Sequence, residues 1–488
     1  MMPDHSKLPP RSRSALGVAL RSLVLLATSA ALATAGVPPS TLWVTYYDGR
    51  GEPFATDVLS DLAVNSSGEV CATGGSMVDG GAFAAATVFF ESDGTERWRH
   101  QYLAPESGGN EQGLRVFLDD SGRCRVTGQR STTSPPSTGP DVLVLEYDAQ
   151  GNLLWSASHD GTGGFDAGVD VTADAAGNVY VAALSAGDGG DWDILAIKYD
   201  AAGNELWARR FDGPAGGEDE SAGIAVDADG NVYVAGTAGV LSPFGDDLVV
   251  IKYDADGDEL WTELIDGGAG GADRAAALAL DAAGHPHVAG RLLTLPGAEW
   301  HAAIVKLLPD GSHDWTGTAD HPAAGIPEDV HGLAIGADGS AYLLATGSDD
   351  ALTARFEPGG ALLWDHLHDG VSIAGEAARP LDVDAAGNAY VAAYDALPGR
   401  GYDFLTYRLE AADGALAWEQ PFGEGGEEAH DRPMAVVVDS AGNVLVGGAV
   451  RPGGSSLETD WAIVKYAGAL FADGFEGGDT AAWSATMP

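Results

Sequence analysis

Eight tryptophans, Trp43, Trp98, Trp155, Trp207, Trp261, Trp315, Trp364 and Trp418, recur at intervals of 55, 57, 52, 54, 54, 49 and 54 residues. A period near 50 residues marks a modular array, in which each module is one supersecondary unit that buries its apolar faces only against its neighbours. The register is written in whole phrases. Ile197 to Trp207 reads IKYDAAGNELW, and 54 positions later Ile251 to Trp261 reads IKYDADGDELW.

Each period holds two hairpins. The first has the form of Gly223 to Gly236, GIAVDADGNVYVAG: a β-branched run, a turn on Asp-x-x-Gly, and a second β-branched run. Its turn glycine is Gly68, Gly122, Gly177, Gly230, Gly284, Gly339, Gly387 and Gly442. A tight turn needs one residue at positive φ, which glycine adopts without a Cβ clash. In the second hairpin a glycine stands four residues before the tryptophan, at Gly94, Gly151, Gly203, Gly257, Gly311, Gly360 and Gly414. Two hairpins per period with no amphipathic helical pattern between them predict a four-stranded propeller blade.

The count predicts how the ring closes. The first hairpin appears eight times, but the first tryptophan strand, Leu42 to Gly49, precedes everything else, so the chain begins with a lone fourth strand and ends with three strands lacking one. The expected fold is therefore all-β, an eight-bladed propeller of antiparallel blades closed by its N-terminal strand, which also covers two sheet edges. The tail offers a competitor: LFADGFEGG, Leu470 to Gly478, can be laid over Leu206 to Gly217 with Phe471 in the tryptophan's place. Leu42 to Gly49 keeps the tryptophan and is the expected closing strand.

Residues 1–35 combine Lys7, Arg11, Arg13 and Arg21 with the apolar run LVLLATSAALATA and a small-x-small site at Ala33-Thr34-Ala35, which predicts an export signal cleaved after Ala35. This run of 13 residues is short of the roughly 20 that cross a bilayer, and no later segment is apolar enough to span one. The expected organisation is a signal at 1–35, a linker at 36–40, the propeller at 41–467 and a tail at 468–488, with the protein secreted or held at the cell surface as a monomer. Without the signal, 21 Lys and Arg face 71 Asp and Glu. Such a field repels phosphate backbones and acidic membranes, so nucleic acid is not an expected partner.

The units DILAIKYDAAGNELW (Asp193 to Trp207) and AVDADGNVYVAG (Ala225 to Gly236) resemble the bacterial SBBP beta-propeller repeat, over essentially residues 41–467. The resemblance implies the propeller fold and no single activity. The tail FADGFEGGDTAAW, Phe471 to Trp483, is similar to short C-terminal tails of secreted bacterial proteins.

Turns inside the hairpins are short and uniform, whereas the linkers at the opposite face vary, so a site is expected on that long-loop face. Two features mark it. An acid stands eight residues before each first-hairpin turn: Asp57, Glu111, Asp166, Asp219, Asp273, Glu328, Glu376 and Asp431. Such a ring could hold Ca²⁺, the one cofactor these residues suggest, or bond backbone N–H groups of the inter-blade loops. An aromatic residue stands just before the third strand of blades one, three, five and seven: Phe83, Trp192, Trp300 and Tyr402. Flat apolar faces on loops suit a glycan or a protein, and packing beneath the loops is the competing reading.

The pairs His285/His287 and His366/His368, and His159 beside Asp160, align with ordinary strand and turn positions of the repeat and are read as variants of it. Cys71 and Cys124, the only cysteines, lie in the second strands of blades one and two, offset by one residue. That offset could aim the sulfurs at each other, and a disulfide between them would have to form near the hub, because packed sheets elsewhere stand about 10 Å apart.

Two functions compete. The leading one is a secreted or surface-attached binding scaffold that recognises a glycan, a protein or a cation through the long-loop face. The other is enzymatic: eight blades with tryptophan after a DAxGNxLW turn are similar to quinoprotein dehydrogenases, whose adjacent-cysteine pair is missing here, and a propeller lyase with loop-borne catalytic residues is its variant.

Overall fold

A computed structural model describes residues 39–49, 56–78, 81–104, 110–131, 139–161, 163–187, 190–240, 245–294, 299–320, 329–347, 350–373, 379–397, 401–423, 431–451 and 459–468. The predicted export signal and most of the predicted linker and tail lie outside these residues, as do Glu328 and Glu376.

Hairpin follows hairpin with no helix among the described residues, and the strands gather into eight antiparallel sheets. Blade four shows the plan: Glu220–Val226, Val232–Gly239, Asp246–Tyr253 and Glu259–Ile265 pair in chain order from the hub outward. The turns form because the sequence supplies their internal bonds. In the turn after Tyr199, the Asp200 carboxylate accepts the N–H groups of Ala202 and Asn204, both at 2.9 Å, and the Asn204 side-chain amide at 2.8 Å. All fifteen hairpin-turn glycines predicted from the repeat have φ between 70° and 89°.

Blade eight consists of Arg432–Val438, Val444–Val450 and Asp460–Tyr466, completed by the N-terminal strand Thr41–Tyr47. Val44 pairs with Val464 and Tyr46 with Ala462, so the ring closes as predicted and not through the tail. Blade seven departs from the plan. Its hub strand is in two pieces, Val371–Ser372 and Leu381–Val383, both paired with Ala389–Leu397. Pro380 stands just before the second piece and has no N–H to give the ladder.

The core is a series of seams between blades. One such cluster joins Ile194, Ala196 and Trp207 of blade three to Ile224, Val234 and Ile251 of blade four. Each buried aliphatic side chain contributes about 1.5–3 kcal/mol, so a blade is stable only between neighbours. Cys71 and Cys124 form a disulfide across the first seam, with their Cα atoms 6.4 Å apart. Second strands lie close enough to the hub for neighbouring sheets to converge within bridging distance.

Candidate functional site

Among the described residues the recurrent acids stand at or just before the start of a first strand, and Asp57, Glu111, Asp166, Asp219, Asp273 and Asp431 are fully buried. Their oxygens meet backbone N–H groups. Asp273 takes those of Gly267 at 2.7 Å and Leu293 at 2.6 Å, and Asp219 takes those of Gly213 and Gly239. Asp57 takes that of Gly49 at 2.7 Å, Asp166 that of Gly161 at 3.1 Å and Asp431 that of Arg451 at 2.8 Å. One donor lies in the loop arriving from the previous blade and the other at the end of the blade's own second strand. Both are groups that the strand ladders leave unpaired.

The two marked positions meet at four of the seams. The backbone N–H of Asp219 donates to the carbonyl of Trp192 at 2.6 Å, and that of Asp431 to Tyr402 at 2.8 Å. Asp57 does the same to Thr459 and Asp273 to Asp246. An acid and a residue at the start of the previous blade's third strand are thus, at these seams, the two ends of one inter-blade hydrogen bond.

Among the described residues, three clusters of carboxylates bring oxygens within 4.8 Å of one another: Asp48, Asp57 and Asp460; Asp193, Asp212 and Asp219; and Asp247, Asp266 and Asp273. In the second, Arg210 already bonds Asp193 at 2.6 Å. In the third, burial and the charges of Asp266 and Asp273 push Asp247 up to about 6.

The four aromatics stand on non-adjacent blades and do not converge. Phe83 and Trp192 are the first residues of their third strands, and Trp300 and Tyr402 the second residues of theirs. What covers each ring differs. Trp300 lies under the Arg291 guanidinium at 4.8 Å, Tyr402 meets Tyr394 edge-on at 5.1 Å, and Trp192 packs on Phe165 at 5.9 Å. Arg291 and Tyr394 hold the same register position in the second strand, seven residues after the turn glycine, and in blade one that position is Gly75.

With no side chain at Gly75, the Phe83 ring borders a cavity of about 370 Å³ between blades one and two. Its other walls are Val58, Asn110, Glu111, Gln112, Gln129 and Ser131. Gln112 and Gln129 face each other across the ladder of blade two, with a 3.4 Å contact between their amides. Sequence reasoning marked Phe83 and Glu111 but missed the glutamines and Gly75. The available signal was a glycine where the other seven blades carry Gln129, Leu184, Thr237, Arg291, Thr346, Tyr394 and Ala449. The disulfide braces the same seam, because Cys71 and Gly75 share one strand and Cys124 and Gln129 the next.

A family model described as a beta-propeller repeat, SBBP, matches residues 207–245. The chain carries the SBBP beta-propeller repeat. The SBBP match runs from the tryptophan of blade three's outer strand through the first hairpin of blade four, which spans one seam. Similar solved structures include a protein of unknown function from Bacteroides caccae, 13% identical, covering 58% of this chain and 89% of that one with a TM-score of 0.34. The WD40 domain of SCAP from fission yeast is 9% identical, covering 88% of this chain and 98% of that one with a TM-score of 0.47. A polysaccharide lyase of family PL25, an ulvan lyase, is 12% identical, covering 80% and 93% with a TM-score of 0.42. No curated protein matches the chain. Among the described residues no helix is long and apolar enough to cross a membrane.

Proposed function

We propose that this SBBP-repeat propeller is an exported binding protein and that the pocket between blades one and two holds its ligand, a neutral glycan. The carrying observation is the uncovered ring of Phe83 above Gly75, beside the paired amides of Gln112 and Gln129. An aromatic face with amide donors and acceptors at its rim matches the alternating C–H and O–H surfaces of a sugar. The Glu111 carboxyl group in the pocket wall, with no lysine or arginine among the described lining residues, disfavours an anionic glycan here, so the ligand proposed is neutral. The pocket breaks the repeat, as a site for one ligand on a repetitive scaffold must.

A glycan array followed by calorimetry tests the reading. Gly75→Gln copies the residue that blade two carries and fills the cavity; a Cβ at Gly75 would stand 3.4 Å from Phe83 and 3.5 Å from Gln112, ordinary contacts that the fold accommodates. Gly75→Gln and Phe83→Ala are each expected to weaken binding at least tenfold, about 1.4 kcal/mol. Trp300→Ala, whose ring is covered by Arg291, leaves it unchanged. Binding that survives Gly75→Gln, or an array on which the wild type holds no glycan, sinks the proposal.

A further inference from the structure

The hub is built on a bulge. Each first-strand ladder except blade seven's skips one residue at the same register, as between Leu59 and Asp61 in blade one and between Gly113 and Arg115 in blade two. The residue after the skip breaks the symmetry of the ring. It is charged in blades one to three (Asp61, Arg115, Asp170) and small in blades four to six (Gly223, Ala277, Gly332). Blade seven adds Arg379, whose Nη2 donates to the carbonyl of Val116 in blade two at 3.4 Å and whose Nε lies 3.7 Å from Asp61 in blade one.

Of these, Arg115, Asp170, Ala277, Gly332 and Arg379 help to wall a cavity of about 500 Å³. Blades two, three and seven contribute the charged Arg115, Asp170, Arg379 and Asp382 to the lining, and blades four to six the apolar Ile224, Leu278, Leu280 and Leu333 together with His331. The carboxylates are already occupied. Asp170 accepts the N–H groups of Val171 at 2.9 Å and Ile224 at 3.1 Å, and Asp382 those of Val383 at 2.8 Å and Val438 at 2.7 Å. Asp61, behind them, accepts those of Leu62 at 2.9 Å and Val116 at 3.0 Å. Each acid thereby clips its strand to the next blade. The guanidiniums are not occupied to the same degree. Each has five N–H donors, and among the described residues Arg115 donates to the carbonyl of Leu114 at 3.1 Å, while Arg379 makes the two contacts given above. The spare hydrogen-bonding capacity of the cavity is on its donors, and those donors are cationic.

We propose that the hub cavity binds a small amphipathic anion, its carboxylate or sulfate head on Arg115 and Arg379 and its apolar body along Ile224, Leu278 and Leu333. A planar guanidinium pair recognises a two- or three-oxygen head in the bidentate manner that a neutral alcohol cannot match. A cation would face both guanidinium groups, whereas an anionic head meets N–H donors that the fold leaves open. The hub site is separate from the Phe83 pocket and stands whether or not that pocket takes a glycan.

Three probes with one tail test it on the full chain by calorimetry and thermal shift: octanoate, 1-octanol and octylammonium. Octanoate binds and raises Tm, and octylammonium binds at least tenfold more weakly, with 1-octanol between them. Arg115→Gln lowers octanoate affinity at least tenfold, and Ala276→Phe, which places a ring in the cavity, abolishes it. Ala222→Leu replaces that variant if Ala276→Phe does not fold. The proposal is overturned if octanoate does not bind the folded wild type, if octylammonium binds as tightly, or if binding survives Arg115→Gln or the cavity-filling variant.

Discussion

The indole of Trp98 rests on Gly151 of the next blade, so close that a Cβ there would stand 2.6 Å from the ring, and its Nε1 donates to Ala149 at 3.2 Å. The same pair recurs around the ring, as Trp43 on Gly94, Trp207 on Gly257 and Trp315 on Gly360. The two most regular residues of the repeat are therefore partners across a seam. The glycine is required twice, for its positive φ and for the flat seat it leaves.

Gly151→Ala is accordingly expected to cost more than Gly230→Ala. Both have φ of 84°, but a Cβ at Gly230 meets nothing nearer than 3.5 Å. The left-handed conformation alone costs about 1–2 kcal/mol and overpacking adds about 1–3 kcal/mol. Urea unfolding should show Gly230→Ala losing only the first amount and Gly151→Ala the sum of both.

The closing strand makes its own prediction. Trp43 sits on Gly94 and donates Nε1–H to Ser92 at 3.2 Å, so it ties blade eight to blade one. Trp43→Ala should destabilise by about 2 kcal/mol, less than a fully buried tryptophan because the ring is partly exposed. Amide exchange should quicken first along Asp460–Tyr466, the strand it would leave as a frayed edge.

Reduction should add 2 Da to the mass, one hydrogen for each sulfur of the Cys71–Cys124 bridge. A loop of 53 residues implies about 4 kcal/mol of stabilisation by chain entropy. Changing both cysteines to Ala should lower the unfolding midpoint accordingly and weaken any ligand of the Phe83 pocket, whose two walls the bridge holds together. Unchanged stability would show that the seam holds without it.

Acid titration should show two opposed trends. Burial, with Asp266 and Asp273 nearby, pushes Asp247 up to about 6, and burial beside Asp160 does the same to Asp141. A folded carboxyl above its unfolded value of about 3.9 takes its proton first in the native state. Its contribution is therefore full below about pH 4 and lost as pH rises through 6. Against the cost of its burial, bonds from His285 and Lys306 hold Asp281 down to about 2, so its contribution is present above pH 4 and lost as pH falls toward 2. Melting curves from pH 3 to 8 should show Asp247→Asn raising Tm at pH 8 and changing it little at pH 4.

The blades were legible because turn chemistry and tryptophan spacing are local, and each module repeats them. Closure by Thr41–Tyr47 was legible by counting. The pocket was not, because its cause is a missing side chain at Gly75, and a glycine among 69 carries no mark of its own until the register is laid out in space. The hub was hidden for another reason: Arg379 makes its partners in blades one and two, more than 260 positions away, and no local pattern reports that.

Thr41 pairs with Tyr466, at the far end of the described chain. During synthesis the molecule is an unfinished arc until its final strand emerges, so the slowest search in folding comes last and joins its most distant parts. An early-made strand must wait, unpaired, until all seven intervening blades have arrived.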